Sequence, residues 1–137
     1  MPRVPVPPEV DEFLARPNPA VVGTIRRDGS PHTAATWYDW EDGRVLLNMD
    51  ASRLRLGYLR RDPRASLTVL DGDSWYRQIT LLGRVTSIED DPALADIDRL
   101  ALRYTGKPYR DRSRNSVSAW LEPAQWYGWA GGRHVTR

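Results

Sequence analysis

The sequence contains no cysteine, and this absence excludes several kinds of chemistry at once. Without cysteine the protein cannot form disulfides, thiolate metal sites or iron–sulfur clusters, and it has no cysteine nucleophile. Only two histidines are present, His32 and His134, and they lie far apart in the chain. A metal site is therefore not expected. Any redox function would have to come from a bound cofactor.

Several short motifs are also missing. The chain has no Gly-x-Ser-x-Gly nucleophile elbow, no Walker A phosphate loop and no Gly-x-Gly-x-x-Gly dinucleotide fingerprint. No apolar run approaches the roughly 18 residues that a membrane-spanning helix needs. The N-terminus is interrupted by prolines and has no apolar signal-peptide core. We therefore expect a cytoplasmic protein without a membrane span.

The composition fits one globular domain. The chain has 137 residues, of which 40% are hydrophobic, and its net charge is +2. This is enough apolar material for one core, so residues 1–137 are expected to form a single domain. Residues 1–8 are rich in proline and are expected to be a flexible arm. The near-neutral charge and the lack of a long basic stripe argue against nucleic-acid binding.

The basic residues are almost all arginine, since nineteen arginines accompany a single lysine. A GC-rich genome accounts for most of this excess, but not for the position of each arginine. Arg53 and Arg55 follow Ser52 where a predicted strand passes into a predicted helix. Backbone N–H groups, the positive end of the helix dipole and two guanidinium groups favour anion binding there. The alternative is an exposed arginine pair without a ligand.

Turn signals and hydrophobic periodicity predict six or seven strands, mostly antiparallel, and three helices. The predicted strands are residues 20–26, 31–40, 44–49, 64–70, 75–88, 116–121 and 125–129, and the predicted helices are residues 8–16, residues 52–61 and a segment between Asp91 and Gly106. Asp28-Gly29 predicts a hairpin, and Gly83 predicts a bend or bulge in the long strand. A long, bent strand in so short a chain favours a small barrel over a sandwich.

Two segments resemble signatures of the pyridoxamine 5'-phosphate oxidase-like split β-barrel superfamily. Residues 28–38, DGSPHTAATWY, are similar to its DGxPHxxxxWY segment, and residues 52–66, SRLRLGYLRRDPRAS, to its RxKxxNLxRDPRAS signature. The motifs YTGKPY, VSAWL and WYGW near the end of the chain resemble the B-type branch that depends on the deazaflavin coenzyme F-420. The sequence departs from the signature at Arg55, where relatives often have lysine, and at Tyr58, where they often have asparagine.

The resemblance implies a mainly β fold: a six-stranded antiparallel split β-barrel of the FMN-binding type, with short helices. It also implies a homodimer with two cofactor sites at its interface. The implied activity is hydride transfer from reduced coenzyme F-420 to an activated double bond of a small organic substrate. The implied phosphate-binding residues are Ser52, Arg53 and Arg55. The implied ring-binding residues are His32, Thr33, Ala35, Thr36, Asn48, Met49 and Asp50. Trp75 and Tyr76 are expected to form a wall of the pocket from across the interface.

Two alternative functions stay open at this point. The same fold could hold FMN, because both cofactors have a phosphate and a tricyclic ring. The protein could also carry a flavin or deazaflavin without catalysing a reaction. Other features have a structural interpretation: Trp37 as a core or interface aromatic, Tyr104 as part of a packing ridge, and the arginines of residues 107–115 as a solvated charged loop.

Overall fold

One antiparallel sheet contains all the strands of the structure, which is a computed structural model describing residues 1–130 and 133–135. The strands are β1 (Ala20–Ile25), β2 (Pro31–Thr36), β3 (Asp39–Glu41), β4 (Arg44–Asp50), β5 (Arg64–Leu70), β6 (Gln78–Asp90), β7 (Ser116–Ala130) and β8 (Arg133–Val135). The helices are α1 (Pro8–Ala15), α2 (Leu54–Arg61) and α3 (Ala95–Thr105). In the described part of the chain no helix is long and apolar enough to cross a membrane.

The two longest strands join the two halves of the sheet, whose order is β2-β1-β5-β6-β7-β4-β3 with β8 also paired to β7. β6 and β7 pair from Gln78 opposite Trp129 to Asp90 opposite Val117. The first half of β7 also pairs with β4, and its end pairs with β8. This arrangement encloses a hydrophobic core that includes the fully buried Tyr38 and Trp126.

The expectation of six strands is wrong, because the described residues form an eight-stranded sheet. The predicted strand 31–40 is divided into β2, which pairs with β1, and β3, which pairs with β4. Tyr38 lies at the break, and its hydroxyl donates to the carbonyls of Leu14 and Arg16 at the end of α1. The last two predicted strands are one continuous strand, β7, and β8 is additional.

The bulge predicted at Gly83 is confirmed. The pairing of β6 with β7 shifts register between Leu82 and Gly83. A Cβ atom at Gly83 would lie 2.0 Å from the carbonyl oxygen of Glu122 and 2.7 Å from the Cα of Pro123. Only glycine allows the two strands to approach this closely.

The start of α3 differs from the prediction, although its end at Gly106 is confirmed. The helix begins at Ala95 rather than beside Asp91. The buried carboxylate of Asp91 nevertheless accepts the N–H groups of Asp96 and Ile97, each at 3.1 Å. Asp91 therefore satisfies the first turn of α3 from a position further back in the chain.

The N-terminal residues, expected to be a flexible arm, lie beside β7. The backbone N–H of Val4 donates to the carbonyl of Ala124, and the N–H of Trp126 donates to the carbonyl of Pro2. Val4 and Val6 also pack against the core. These contacts attach the segment to the sheet before α1 begins.

Candidate functional site

An open cavity of about 530 Å³ lies between β2, β4, α2, α3 and the loop that precedes β7. Its volume is in the range of small-molecule sites. We call it the arginine pocket; it is lined by Pro17, Pro19, Ala20, Ala35, Thr36, Trp37, Asn48, Arg55, Ile97, Leu100, Tyr104, Tyr109 and Arg114. One part of this lining is aromatic and another part is cationic.

The aromatic part consists of Trp37, Tyr104 and Tyr109. The rings of Trp37 and Tyr104 are stacked, with centroids 5.5 Å apart and an angle of 8° between their planes. The ring of Tyr109 meets Trp37 edge-on at 6.3 Å. The Tyr104 hydroxyl donates to the carbonyl of Asn18 at 2.7 Å, and burial raises the pKa of Tyr104. These contacts hold a rigid aromatic wall against which a planar ligand could stack.

The cationic part is built around Arg55, which is half-buried on α2. Burial lowers the pKa of its guanidinium, and the positive charges of Arg53 and Arg114 lower it further. Within the described residues the side chains of Arg53 and Arg55 have neither a hydrogen bond nor an ion pair. The pocket therefore holds positive charge that no carboxylate of the described chain neutralises by contact, which is the electrostatic condition for binding an anion.

Arg114 is held in place by Asn48 and Tyr109. Its Nε and Nη2 donate to Oδ1 of Asn48 at 3.3 and 3.1 Å, and its Nη1 donates to the Tyr109 hydroxyl at 3.1 Å. The guanidinium also lies 4.9 Å from the centroid of the Tyr109 ring. Asn48 is buried, and its Nδ2 donates to the hydroxyls of Ser116 and Ser118. A buried polar network thus fixes the orientation of Arg114.

The structure brings only some of the predicted site residues to this pocket: Ala35, Thr36, Asn48 and Arg55. His32 does not line it; its ring packs edge-on against Tyr58, with centroids 5.6 Å apart. Thr33 lines a different cavity, beside β1, β5 and β6. Met49 is 1% exposed and belongs to the hydrophobic core.

The segment between β4 and α2 forms a tight turn rather than a side-chain cap. The Asp50 carboxylate accepts the N–H of Ser52 at 2.9 Å and its hydroxyl at 2.6 Å, and these bonds lower the pKa of Asp50. The helix begins after Arg53, which occupies the N-cap position without a side-chain hydrogen bond. Neither Asp50 nor Ser52 therefore caps the helix.

Trp75 and Tyr76 lie in the turn before β6, outside the arginine pocket of their own chain. They are 70% and 68% exposed, and together with Gln78 and Trp129 they line a separate shallow depression. Large aromatic side chains with this exposure are typical of surfaces that meet a partner. Their role as a wall across an interface stays a prediction.

Sequence reasoning missed the aromatic residues of the pocket and one of its cations: Trp37, Tyr104, Tyr109 and Arg114. Trp37 is part of the WY pair at the end of the segment 28–38, so a signal for it was present. Tyr104 continues the ridge formed by the buried Ile97 and Ala101, but it lies at the end of α3, where the ridge reaches the pocket. Nothing in the local pattern of residues 107–115 distinguishes Arg114 from the neighbouring exposed arginines.

Comparisons with known proteins concern the family and the fold. The sequence profile of the pyridoxamine 5'-phosphate oxidase family matches residues 6–130. A solved F420 reductase is 27% identical, with a TM-score of 0.80 over 88% of this chain and 98% of that chain. The conserved hypothetical protein Rv2991 from Mycobacterium tuberculosis is 28% identical, with a TM-score of 0.75 over 98% of this chain and 93% of that chain. General Stress Protein 26 from Bacillus anthracis strain Sterne, at 19% identity and a TM-score of 0.66 over 94% of this chain and 97% of that chain, shares the fold. No curated protein matches the sequence.

Proposed function

The chain belongs to the pyridoxamine 5'-phosphate oxidase family, and we propose that it is an oxidoreductase that uses reduced coenzyme F-420 to reduce an activated double bond of a small organic substrate. The observation that carries the proposal is the arginine pocket, which combines a stacked aromatic wall with guanidinium groups that form no ion pair within the described residues. The likeness to an F420 reductase favours a deazaflavin over a flavin.

The residues of the pocket fit a molecule that has both a phosphate and a planar ring. Arg55, with Arg53 beside it, offers guanidinium N–H groups that no acceptor of the described chain occupies. Guanidinium groups bind phosphate oxygens in a bidentate manner. Trp37 and Tyr104 offer the flat apolar surface that a ring system needs. When bound, the reduced deazaflavin would supply a hydride from its central ring.

The contribution of the protein to such a reaction is binding and orientation. Arg55 neutralises the charge of the phosphate, and the aromatic wall limits the planes in which a ring can lie. Asn48 and Arg114 form a preorganised set of dipoles and charge, which costs no reorganisation during the reaction. No side chain is assigned as a proton donor to the substrate.

The proposal includes a homodimer in which Trp75 and Tyr76 of one copy complete the pocket of the other. Their exposure beside Trp129 supports this arrangement, because a tryptophan and a tyrosine with this much free surface are expected to be covered in an assembly. Size-exclusion chromatography of a Trp75→Ser/Tyr76→Ser variant tests it. Dissociation to a monomer with weakened cofactor binding is expected, and a dimer with unchanged binding would contradict it.

The decisive experiment is a titration of the purified protein with coenzyme F-420 and with FMN, followed by the fluorescence of each ring. Tight binding of F-420 with weak binding of FMN is expected. Tighter binding of FMN would replace the proposal by an FMN-dependent oxidoreductase, and binding of neither would refute it. Turnover of reduced F-420 with a panel of enones and quinones separates an enzyme from a non-catalytic carrier.

Matched arginine variants test the location of the phosphate. Replacing Arg53 and Arg55 together by alanine should weaken cofactor binding while the fold is retained. The control is the double replacement of Arg60 and Arg61, which removes the same charge from the exposed end of the same helix. Equal affinities of the two double variants would show that the phosphate binds elsewhere.

A further inference from the structure

The loop of residues 107–115 is attached to α3 by one carboxylate. Oδ1 of Asp98 accepts the backbone N–H of Tyr109 at 2.9 Å and Nη1 of Arg112 at 2.7 Å, and Oδ2 accepts Nη2 of Arg112 at 3.0 Å. Nη1 of Arg112 also donates to the carbonyl of Tyr109 at 2.9 Å. The ion pair therefore holds both backbone polar groups of Tyr109, the N–H through Asp98 and the carbonyl through Arg112. We call residues 107–115 the strap.

Two side chains of the strap, Tyr109 and Arg114, enter the arginine pocket, and Arg114 still has donors to offer there. A guanidinium group has five N–H bonds, one on Nε and two on each terminal nitrogen. In Arg114, Nε and one N–H of Nη2 are used by Asn48, and one N–H of Nη1 is used by Tyr109. One N–H therefore remains on each terminal nitrogen. These two N–H bonds can donate to the oxygens of a phosphate or carboxylate group.

Among the described residues the charge of Arg114 also has no direct counter-ion. No ion pair joins Arg114 to a carboxylate in the described residues, although Asp50 and Asp111 lie close enough to be influenced by its charge. Instead, Arg114 is one of the charges that lower the pKa of Arg55. Holding two cations in one half-buried pocket is unfavourable in the free protein, and an anionic ligand would relieve this repulsion.

We propose that Arg114 binds an anionic group of the ligand from the strap side while Arg55 binds from α2, and that Arg112 with Asp98 is the positioning pair that holds Arg114 in the pocket. This deepens the function proposed above, because it concerns anion recognition in the same pocket. It assigns the pocket a ligand whose phosphate or carboxylate oxygens are contacted from two separate elements of the chain.

The binding half of this inference is tested with inorganic pyrophosphate and with coenzyme F-420, at fixed low ionic strength. Charge-assisted hydrogen bonds of this kind predict that Arg114→Ala weakens the binding of both probes about 10- to 100-fold. Arg110→Ala is the matched control, because Arg110 is exposed on the same strap and lines no part of the pocket. The affinities of the Arg110→Ala variant for both probes should stay within about twofold of the wild-type values. Equal affinities of the two variants, or a wild-type protein that binds neither probe, would overturn the proposal.

The positioning half is tested with Arg112→Ala and with amide hydrogen exchange. The N–H of Tyr109 donates to Asp98, so its exchange should accelerate together with the rest of the strap, while amides of β6 and β7 keep their protection. The affinity for pyrophosphate should fall severalfold, and Arg112→Lys should recover part of it. Uniformly faster exchange throughout the protein would refute the positioning role and indicate that Arg112 has a general structural role. Unchanged exchange in the strap would also refute the positioning role.

The two proposals can fail separately. Binding of pyrophosphate that depends on Arg114, without binding of F-420, would retain the strap and refute the proposed cofactor. Tight binding of F-420 that is unaffected by Arg114→Ala would retain the cofactor and refute the role of the strap.

Discussion

Replacing Arg55 by methionine is expected to stabilise the free protein and to weaken its complex with ligand. Methionine keeps an apolar stem of similar length and removes the charge. In the free protein burial disfavours the charged guanidinium, and the positive charges of Arg53 and Arg114 disfavour it further; its lowered pKa expresses this cost. Removing the Arg55 guanidinium should raise the free energy of unfolding by up to about 1 kcal/mol, because residues of functional sites are commonly not optimal for stability. For a chain of this size that is a rise in Tm of roughly 3 °C.

The effect on binding should have the opposite sign. A hydrogen bond between a charged group and its partner contributes about 1.5–3 kcal/mol, which corresponds to roughly a 10- to 150-fold change in Kd. Thermal unfolding of the free protein and titration with coenzyme F-420 measure the two effects on the same sample. The control is Arg60→Met, an exposed position of the same helix, for which both values should stay close to wild type. A less stable Arg55→Met protein, or one that binds as tightly as wild type, would refute the reasoning.

Two further predictions concern the aromatic wall and the bulge. Trp37→Leu removes the ring stacked on Tyr104 and should weaken binding of the planar cofactor about 2- to 10-fold, whereas Trp37→Phe should retain most of it; an unchanged Kd for both would place the ring elsewhere. Gly83→Ala places a methyl group against the Glu122 carbonyl and should lower the free energy of unfolding by about 1–3 kcal/mol. Gly57→Ala, in the open on α2, should raise it by up to about 1 kcal/mol. Urea unfolding measures both, and a tolerated Gly83→Ala would contradict the close strand approach.

Features that depend on a few adjacent residues were predictable from the sequence. The hairpin at Asp28-Gly29 forms as expected, with Gly29 at a φ of 87°. Gly106 ends α3 at a φ of 77°, a conformation that glycine adopts without strain. The resemblance to the pyridoxamine 5'-phosphate oxidase-like superfamily is confirmed, because the family profile matches residues 6–130. These features depend on adjacent residues, so they can be predicted without knowledge of the tertiary structure.

Features that depend on distant contacts were not predictable in the same way. The strand predicted for residues 31–40 is interrupted because Tyr38 bonds to carbonyls of α1, more than twenty residues earlier. Ser52 was expected at the helix start as part of the anion site, but its hydroxyl is bonded to Asp50. Competing partners for one side chain are visible only when the chain is folded.

The arginines show what the sequence determines and what only the tertiary structure determines. Composition and the segment 52–66 were sufficient to select Arg53 and Arg55 as candidates for an anion, because the signal was a guanidinium pair at a strand-to-helix junction. Arg114 could not be selected from a loop whose arginines look alike in sequence. Its position in the pocket results from Asn48 on β4 and Tyr109 on the strap, which meet it only in the folded protein. Residue chemistry thus sets what each side chain can bind, whereas packing decides which donors remain free to bind a ligand.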